Sequence, residues 1–238
     1  MEKPSHVDWE NGSAEDVLRW SFEEYGSRLA LSTSFGAEDM VLLDMVSRVA
    51  PKVRIFTLDT GRLPEETYRL MSEARSRYGL SIQVYFPEAS RVEEMTQAHG
   101  PNLFYDSVAN RQLCCHVRKV EPLQRAMQGV GAWITGLRRE QTASRSAVRK
   151  VAEDETRKGV TKICPLADWT ESQVFEYIRK GNVPYNELHD KGYPSIGCAP
   201  CTRAIKPGED RRAGRWWWES GTKECGLHEQ HAVAGAKV

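Results

Sequence analysis

"RLALSTSFGAEDMVLLDMVSRVAP", residues 28–51, reads as two elements joined by a turn. Residues 28–35 mix apolar and hydroxyl side chains and stop at Gly36, which predicts a strand ending in a turn. Met40, Leu43, Val46 and Val49 then recur at helical spacing, and Pro51 closes the helix they predict. The same alternation extends outward. Upstream, "SAEDVLRWSFEEY" predicts a helix with Ser13 as N-cap and Asp16 as its capping-box partner. Downstream, "VRIFTLDT", "SIQVYF" and "AWITGL" predict strands, while "PEETYRLMSEARSRY", "RVEEMTQAH", "VEPLQRAM" and "TESQVFEYIRK" predict helices, the last capped by Thr170. Strands alternating with helices predict a mostly parallel sheet covered on both faces, with ligands at the carboxyl ends of its strands.

Three of those ends share a signature. The strands run into "STSFGAED", "LDTGRLPEE" and "TGLRREQTASR", each a hydroxyl or glycine turn. Two lead directly into expected helix N-termini, where free N–H groups and the helix dipole favour an anion. The third adds Arg138, Arg139 and Arg145, which suit bidentate binding of phosphate or sulfate. A nucleotide site is the common implication.

The chain has 238 residues, of which 40% are hydrophobic and 28% charged, enough for one sizeable core. Formal net charge is zero, so no global field marks a nucleic-acid or membrane binder, and an anion site must arise by local clustering. No apolar leader or membrane span is found in the sequence, and a cytoplasmic location is expected. Residues 1–183 carry the α/β pattern. Residues 184–238 turn to Pro, Gly and charge, and are expected to wrap on the main domain, with Trp216, Trp217 and Trp218 as anchor.

Six cysteines in a cytosolic chain point to metal ligands or reactive thiols before disulfides. Cys198 and Cys201 form a C-x-x-C, a motif shared by redox, zinc and iron–sulfur sites. Cys114 and Cys115 are adjacent, with side chains that diverge, so they suit separate corners of a larger object. Four thiolates from Cys114, Cys115, Cys198 and Cys201 therefore imply a four-iron cluster, with zinc and a set of buried apolar thiols as the alternatives. Cys164 reads as a packed apolar thiol. Cys225, in "KECGLH", reads as a nucleophile on a mobile tail, its thiolate favoured by Lys223 and His228 locally and by Arg212 and Arg215 through the fold.

Over nearly its whole length the chain resembles the assimilatory adenylylsulfate (APS) reductases, relatives of the 3′-phosphoadenylylsulfate (PAPS) reductases. The resemblance rests on "STSFGAED", "LDTG", "CCHVRKVEPL", "TGLRREQ", "GCAPCTR", "GEDRRAGRWWWE" and "KECGLH". It implies an adenine-nucleotide α-hydrolase-like fold, related to the PP-loop pyrophosphatases, and a [4Fe–4S] cluster on the four cysteines. "STSFGAED" departs from the glycine-rich "SGGxDS" of the pyrophosphatases, which counts against ATP cleavage.

The resemblance also implies roles. Ser32, Thr33, Ser34 and Gly36 would line the phosphate turn, and Leu58, Asp59, Thr60 and Gly61 would border the adenosine. Gly136, Arg138, Arg139, Arg145, Arg212 and Arg215 would hold the phosphosulfate. Lys119 would lie between cluster and substrate, and His228 near the substrate. Cys225 would attack sulfur, and thioredoxin or a glutaredoxin-like dithiol protein would release sulfite. A homo-oligomer is left open. PAPS or dual specificity is the nearest alternative, and a non-catalytic, metal-containing nucleotide-binding protein the alternative from another class.

Overall fold

The computed structural model describes residues 9–220. Six strands form one sheet: β1 (Leu29–Ser32), β2 (Arg54–Leu58), β3 (Ile82–Tyr85), β4 (Ala132–Ile134), β5 (Val151–Glu153) and β6 (Thr161–Ile163), in the order β3-β2-β1-β4-β6-β5. All neighbours are parallel except β5, which pairs antiparallel with β6. In register, Leu31 lies between Ile55 of β2 and Ile134 of β4.

Both faces are buried, and the period-two alternation of a strand divides the core between them. Leu29 and Leu31 join Ile55 and Ile134 in a cluster under α1 (Ala14–Tyr25), α2 (Ala37–Val49), α3 (Glu65–Tyr78) and α7 (Glu171–Gly181). Ala30, Phe56 and Trp133 point the other way, against Leu123 and Ala126. Within α2, Met40, Val41, Leu42, Leu43, Met45 and Val46 are all buried, so this helix is enclosed on more sides than its apolar spacing predicts.

Helix ends follow local chemistry. Ser13 Oγ accepts from the Asp16 N–H and donates to the Asp16 carboxylate. At α7, Thr170 and Gln173 form a reciprocal capping box. Two more helices, α4 (Ala89–His99) and α5 (Val108–Cys115), follow β3. From α5 the chain continues through a π-helical turn, His116–Val120, into α6 (Glu121–Ala126). Pro122 offers no N–H to the preceding turn, which is where the helix opens to the wider pattern.

A third apolar cluster joins α5 to the C-terminal segment. Cys114, Val117, Leu103 and Phe104 pack with Cys198, Cys201 and Trp216. Trp216 is 1% exposed, and Trp218 Nε1 donates to the Phe104 carbonyl at 3.1 Å, whereas Trp217 is 40% exposed. The described part of residues 184–220 thus shares a core with the α/β unit. Among the described residues no helix is long and apolar enough to cross a membrane.

Candidate active site

The order β3-β2-β1-β4 changes direction between β1 and β4, and at such a switch point the loops leaving two carboxyl ends diverge and open a crevice. A cavity of about 270 Å³ occupies it. Its floor is the turn after β1. There Phe35 has a positive φ of 59°, and its N–H donates to Thr33 Oγ1 at 3.1 Å. The Ser34 N–H and hydroxyl both donate to Asp39 Oδ2, at 2.6 and 2.8 Å, which turns that carboxylate inward. Gly36 caps α2 without a side-chain acceptor of its own, and the carboxylates of Glu38 and Asp39 turn back onto N–H groups of this helix start.

The turn after β4 closes on the same floor. A Cβ on Gly136 would stand 2.5 Å from Asp39 Oδ1 and 2.9 Å from Glu38 Cβ, so only glycine allows this approach. Burial pushes the Asp39 carboxyl up to about 6, opposed by the Ser34 donors and reinforced by Glu38. Glu38 moves the other way. Burial would raise it, but Arg138, bonded at 2.8 Å, and Gln141 hold it below its ordinary value.

The cavity brings together most of the sequence-predicted residues. Ser32, Thr33, Ser34, Gly36, Leu58, Thr60, Gly136, Arg145, Arg212, Arg215 and Lys119 line it. Asp59 and Gly61 do not. Asp59 is 3% exposed and pins its own turn, accepting from the Gly61 N–H at 2.8 Å and the Tyr68 hydroxyl at 2.9 Å. Arg138 and Arg139 also lie off the cavity lining. Arg138 is 1% exposed beneath the floor, on Glu38, Glu140 and the Trp169 carbonyl, and Arg139 is turned to Glu10 and the Val148 carbonyl. Cys225 and His228 lie outside the described residues.

Sequence reasoning missed several lining groups. Arg211 was adjacent to a chosen arginine and carried no separate signal. Its guanidinium pairs with Glu171, and burial, then the nearby Arg138, push it below its ordinary value. Gln141 lies in "TGLRREQ", where the neighbouring arginines carry the stronger signal. His189 lies in a stretch without a motif; it lines the cavity, burial lowers its pKa, and among the described residues its Nε2 has no hydrogen-bond partner. Phe56, Leu123 and Trp133 supply an apolar wall. Lys119, Arg145, Arg211, Arg212 and Arg215 supply five cations against the carboxylates of Glu38 and Asp39, so the cavity suits an anion with a flat apolar part.

A second, smaller cavity adjoins the first. Cys114, Cys115, Cys198 and Cys201 all line it, and Lys119 and Cys198 border both cavities. Burial, with the neighbouring cysteines, pushes the Cys114 thiol up to about 11 and the Cys201 thiol up to about 12. Arg118 Nε and Trp216 Nε1, on the lining residues, are buried with no hydrogen-bond partner among the described residues. Arg118 Nη1 donates to the Thr60 carbonyl at 2.7 Å, and the Ala199 N–H donates to the Arg62 carbonyl at 2.8 Å, so the "LDTG" turn is bonded to both cysteine-bearing segments. Among the described residues no three His, Cys, Asp or Glu side chains stand ready to hold a metal ion. Cys164 is buried elsewhere, beside Thr135 Oγ1 at 3.4 Å.

Comparison with known proteins identifies this arrangement. Residues 28–204 match the phosphoadenosine phosphosulfate reductase domain. An adenosine 5′-phosphosulfate reductase of Burkholderia cepacia is 50% identical over 214 residues, covering 90% of this chain and 85% of that protein. The enzyme of the same name from Allochromatium vinosum is 53% identical over 203 residues, covering 85% and 79%. Among solved structures, a phosphoadenylyl-sulfate reductase from Candida auris, in a phosphate complex, superposes with a TM-score of 0.71 at 34% identity, covering 84% of this chain and 97% of that one. The FMN adenylyltransferase of Candida glabrata, at 16% identity and a TM-score of 0.55, shares the fold alone. From the match across residues 28–204 and the identities along most of its length, the chain belongs to the phosphoadenosine phosphosulfate reductase domain family.

Proposed function

We propose that this protein is an adenylylsulfate reductase of sulfate assimilation, converting APS to sulfite and AMP at the expense of thiols. One observation carries the reading: a single cavity at the switch point combines a hydroxyl-rich turn, an apolar wall and Lys119, Arg145, Arg212 and Arg215. APS sulfur is ringed by anionic oxygens, so a thiolate approaches it only where cations neutralise the sulfate and the departing phosphate. Arg145, Arg212 and Arg215 hold the phosphosulfate, joined by Arg211. Leu58 and Thr60 border the adenosine; Arg138 holds the floor from behind.

In the first step the Cys225 thiolate attacks sulfur, the bond from sulfur to the AMP phosphate oxygen breaks, and AMP leaves with that electron pair. The product is S-sulfocysteine on Cys225. A thiolate of thioredoxin or a glutaredoxin-like dithiol protein then attacks Cys225 Sγ, sulfite departs, and the second thiol resolves the mixed disulfide. Two thiols are oxidised to one disulfide and one sulfate is reduced to sulfite. His228 is assigned to the substrate side of the tail.

Cys114, Cys115, Cys198 and Cys201 fit a [4Fe–4S] cluster. Four thiols around one cavity, three buried and that of Cys115 half-buried, match its usual ligation, and Arg118 Nε and Trp216 Nε1, unpartnered among the described residues, are donors suited to a sulfur-rich anionic group. Single-ion geometry is not required of them, because each thiolate would bind a different iron. When bound, the cluster supplies a fixed local charge and a brace between the helix after residue 108 and the C-terminal segment. Lys119, on the border of both cavities, would face the cluster on one side and the substrate on the other.

The test is direct. Incubation with APS and, in parallel, with PAPS should yield sulfite and a sulfonate-sized mass increase on the Cys225 peptide, with APS the better substrate. Absence of both products from cluster-loaded protein would overturn the reading; preference for PAPS would correct the substrate. Iron and sulfide analysis tests the cluster, and stoichiometric zinc without iron would refute it.

A further inference from the structure

The side-chain amide of Gln141 has four partners, and their chemistry fixes its orientation. Its oxygen accepts from the Arg138 N–H at 3.1 Å and from Arg145 Nη1 at 2.5 Å. Its nitrogen donates to Glu38 Oε1 at 3.0 Å and to the Gly136 carbonyl at 3.2 Å. An arginine can only donate, and a carboxylate or carbonyl can only accept, so the amide cannot be reversed without opposing like groups. All four of its hydrogen-bonding positions are used.

We propose that Gln141 is a positioning residue, which aims the Arg145 guanidinium at the anionic end of the bound nucleotide. The half-buried Glu38 carboxylate, clamped by Arg138, and the Gly136 carbonyl hold the amide from below; the amide oxygen in turn holds one edge of Arg145 at the cavity. A neutral acceptor suits this task. A carboxylate at position 141 would bind Arg145 as tightly but cancel the charge that the nucleotide needs, and it would face Glu38 without a donor. Pre-orienting a long cation leaves less rotamer entropy to be lost on binding.

The inference rests on the proposed APS reductase reading, and a double-mutant cycle separates the two. APS affinity is measured in a Cys225→Ser background, which blocks turnover, for Gln141→Ala, Gln141→Met, Arg145→Ala and the paired variants. Each Gln141 variant should weaken APS binding about five- to tenfold when Arg145 is present, and by less than about twofold once Arg145 is alanine. Gln141→Met keeps the volume of the side chain, so it decides the matter if the alanine variant fails to fold. A role confined to fold stability would lower the melting temperature and leave the dissociation constant of the folded fraction unchanged. Equal losses in both Arg145 backgrounds, or undiminished APS binding by Arg145→Ala, would overturn the inference. Failure of the unaltered enzyme to reduce APS would instead sink the functional reading, and the same cycle read with AMP would still decide whether Gln141 acts through Arg145.

Discussion

The hydroxyl of Thr60 lies 3.2 Å from the sulfur of Cys198, and both residues border the substrate cavity. Thr60 Oγ1 also accepts from the Arg62 N–H at 3.2 Å, so one hydroxyl ties the nucleotide turn to a cysteine of the second cavity. Removing it in Thr60→Val should cost about one hydrogen bond, or roughly fivefold in AMP affinity, and should speed loss of iron from the proposed cluster to a chelator. A titration with AMP and a chelation time course check the two halves separately.

Gly136→Ala should be severe. The added methyl would meet Asp39 Oδ1 and Glu38 Cβ, both fixed by their own bonds on the floor. Overpacking of this kind costs about 1–3 kcal/mol of stability. Nucleotide affinity should fall by more than about tenfold, since the turns after β1 and β4 must separate. Thermal melting and calorimetric titration with AMP report the two effects.

Asp39 should give the protein a particular pH response. Its carboxyl is raised from 3.8 to about 6, so the folded state holds the proton more tightly than the unfolded chain. That contribution is fully present below about pH 4 and is lost as pH rises through about 6. Neighbouring Glu38, which is lowered, contributes with the opposite sign, so the prediction concerns the difference between wild type and Asp39→Asn. Denaturation curves of the two should diverge across that window and run parallel above it. Because an anion favours the protonated neighbour, AMP affinity should also fall as pH rises through about 6, less so in the asparagine variant.

Arg111 and Glu219 form a buried pair, 5% and 10% exposed, with Arg111 Nε and Nη2 both donating to the carboxylate at 3.0 Å. Arg111 also stacks 4.6 Å from the Trp216 ring centroid. Glu219→Gln leaves a buried cation without its counter-charge and should cost about 3–5 kcal/mol, whereas replacing both partners by methionine should recover much of it. Chemical denaturation of the single and double variants measures this.

The strands at 29–32, 54–58, 82–85 and 132–134, and the helices between them, were legible because each carries its own periodicity and its own turn. β5 was not, since three residues at a sheet edge are defined by their partner rather than by their sequence. The cavity was legible where backbone turns make it: Ser32, Thr33, Ser34, Gly36 and Gly136 all line it. Arginines were the weak point. "LRRE" contains two guanidinium groups, yet Glu38 and Glu10, distant in sequence, draw both from the cavity, while Arg211, with nothing to distinguish it, enters. Residue type predicts charge, but the direction of a long side chain depends on counter-ions that only the fold brings near.

The wide turn at His116–Val120 has a geometric corollary. Lys119 reaches the wall between two chambers because one extra residue is accommodated per winding after Cys115. Deleting a single residue there would restore ordinary winding with nearly the same total rotation, so Cys114 and Cys115 would keep their angle to Pro122 while the residues inside the turn, Lys119 among them, changed the direction they face. A one-residue change in this stretch is therefore absorbed by the turn itself: the thiols on its near side stay where they are, and what alters is which side chain the turn presents to the wall.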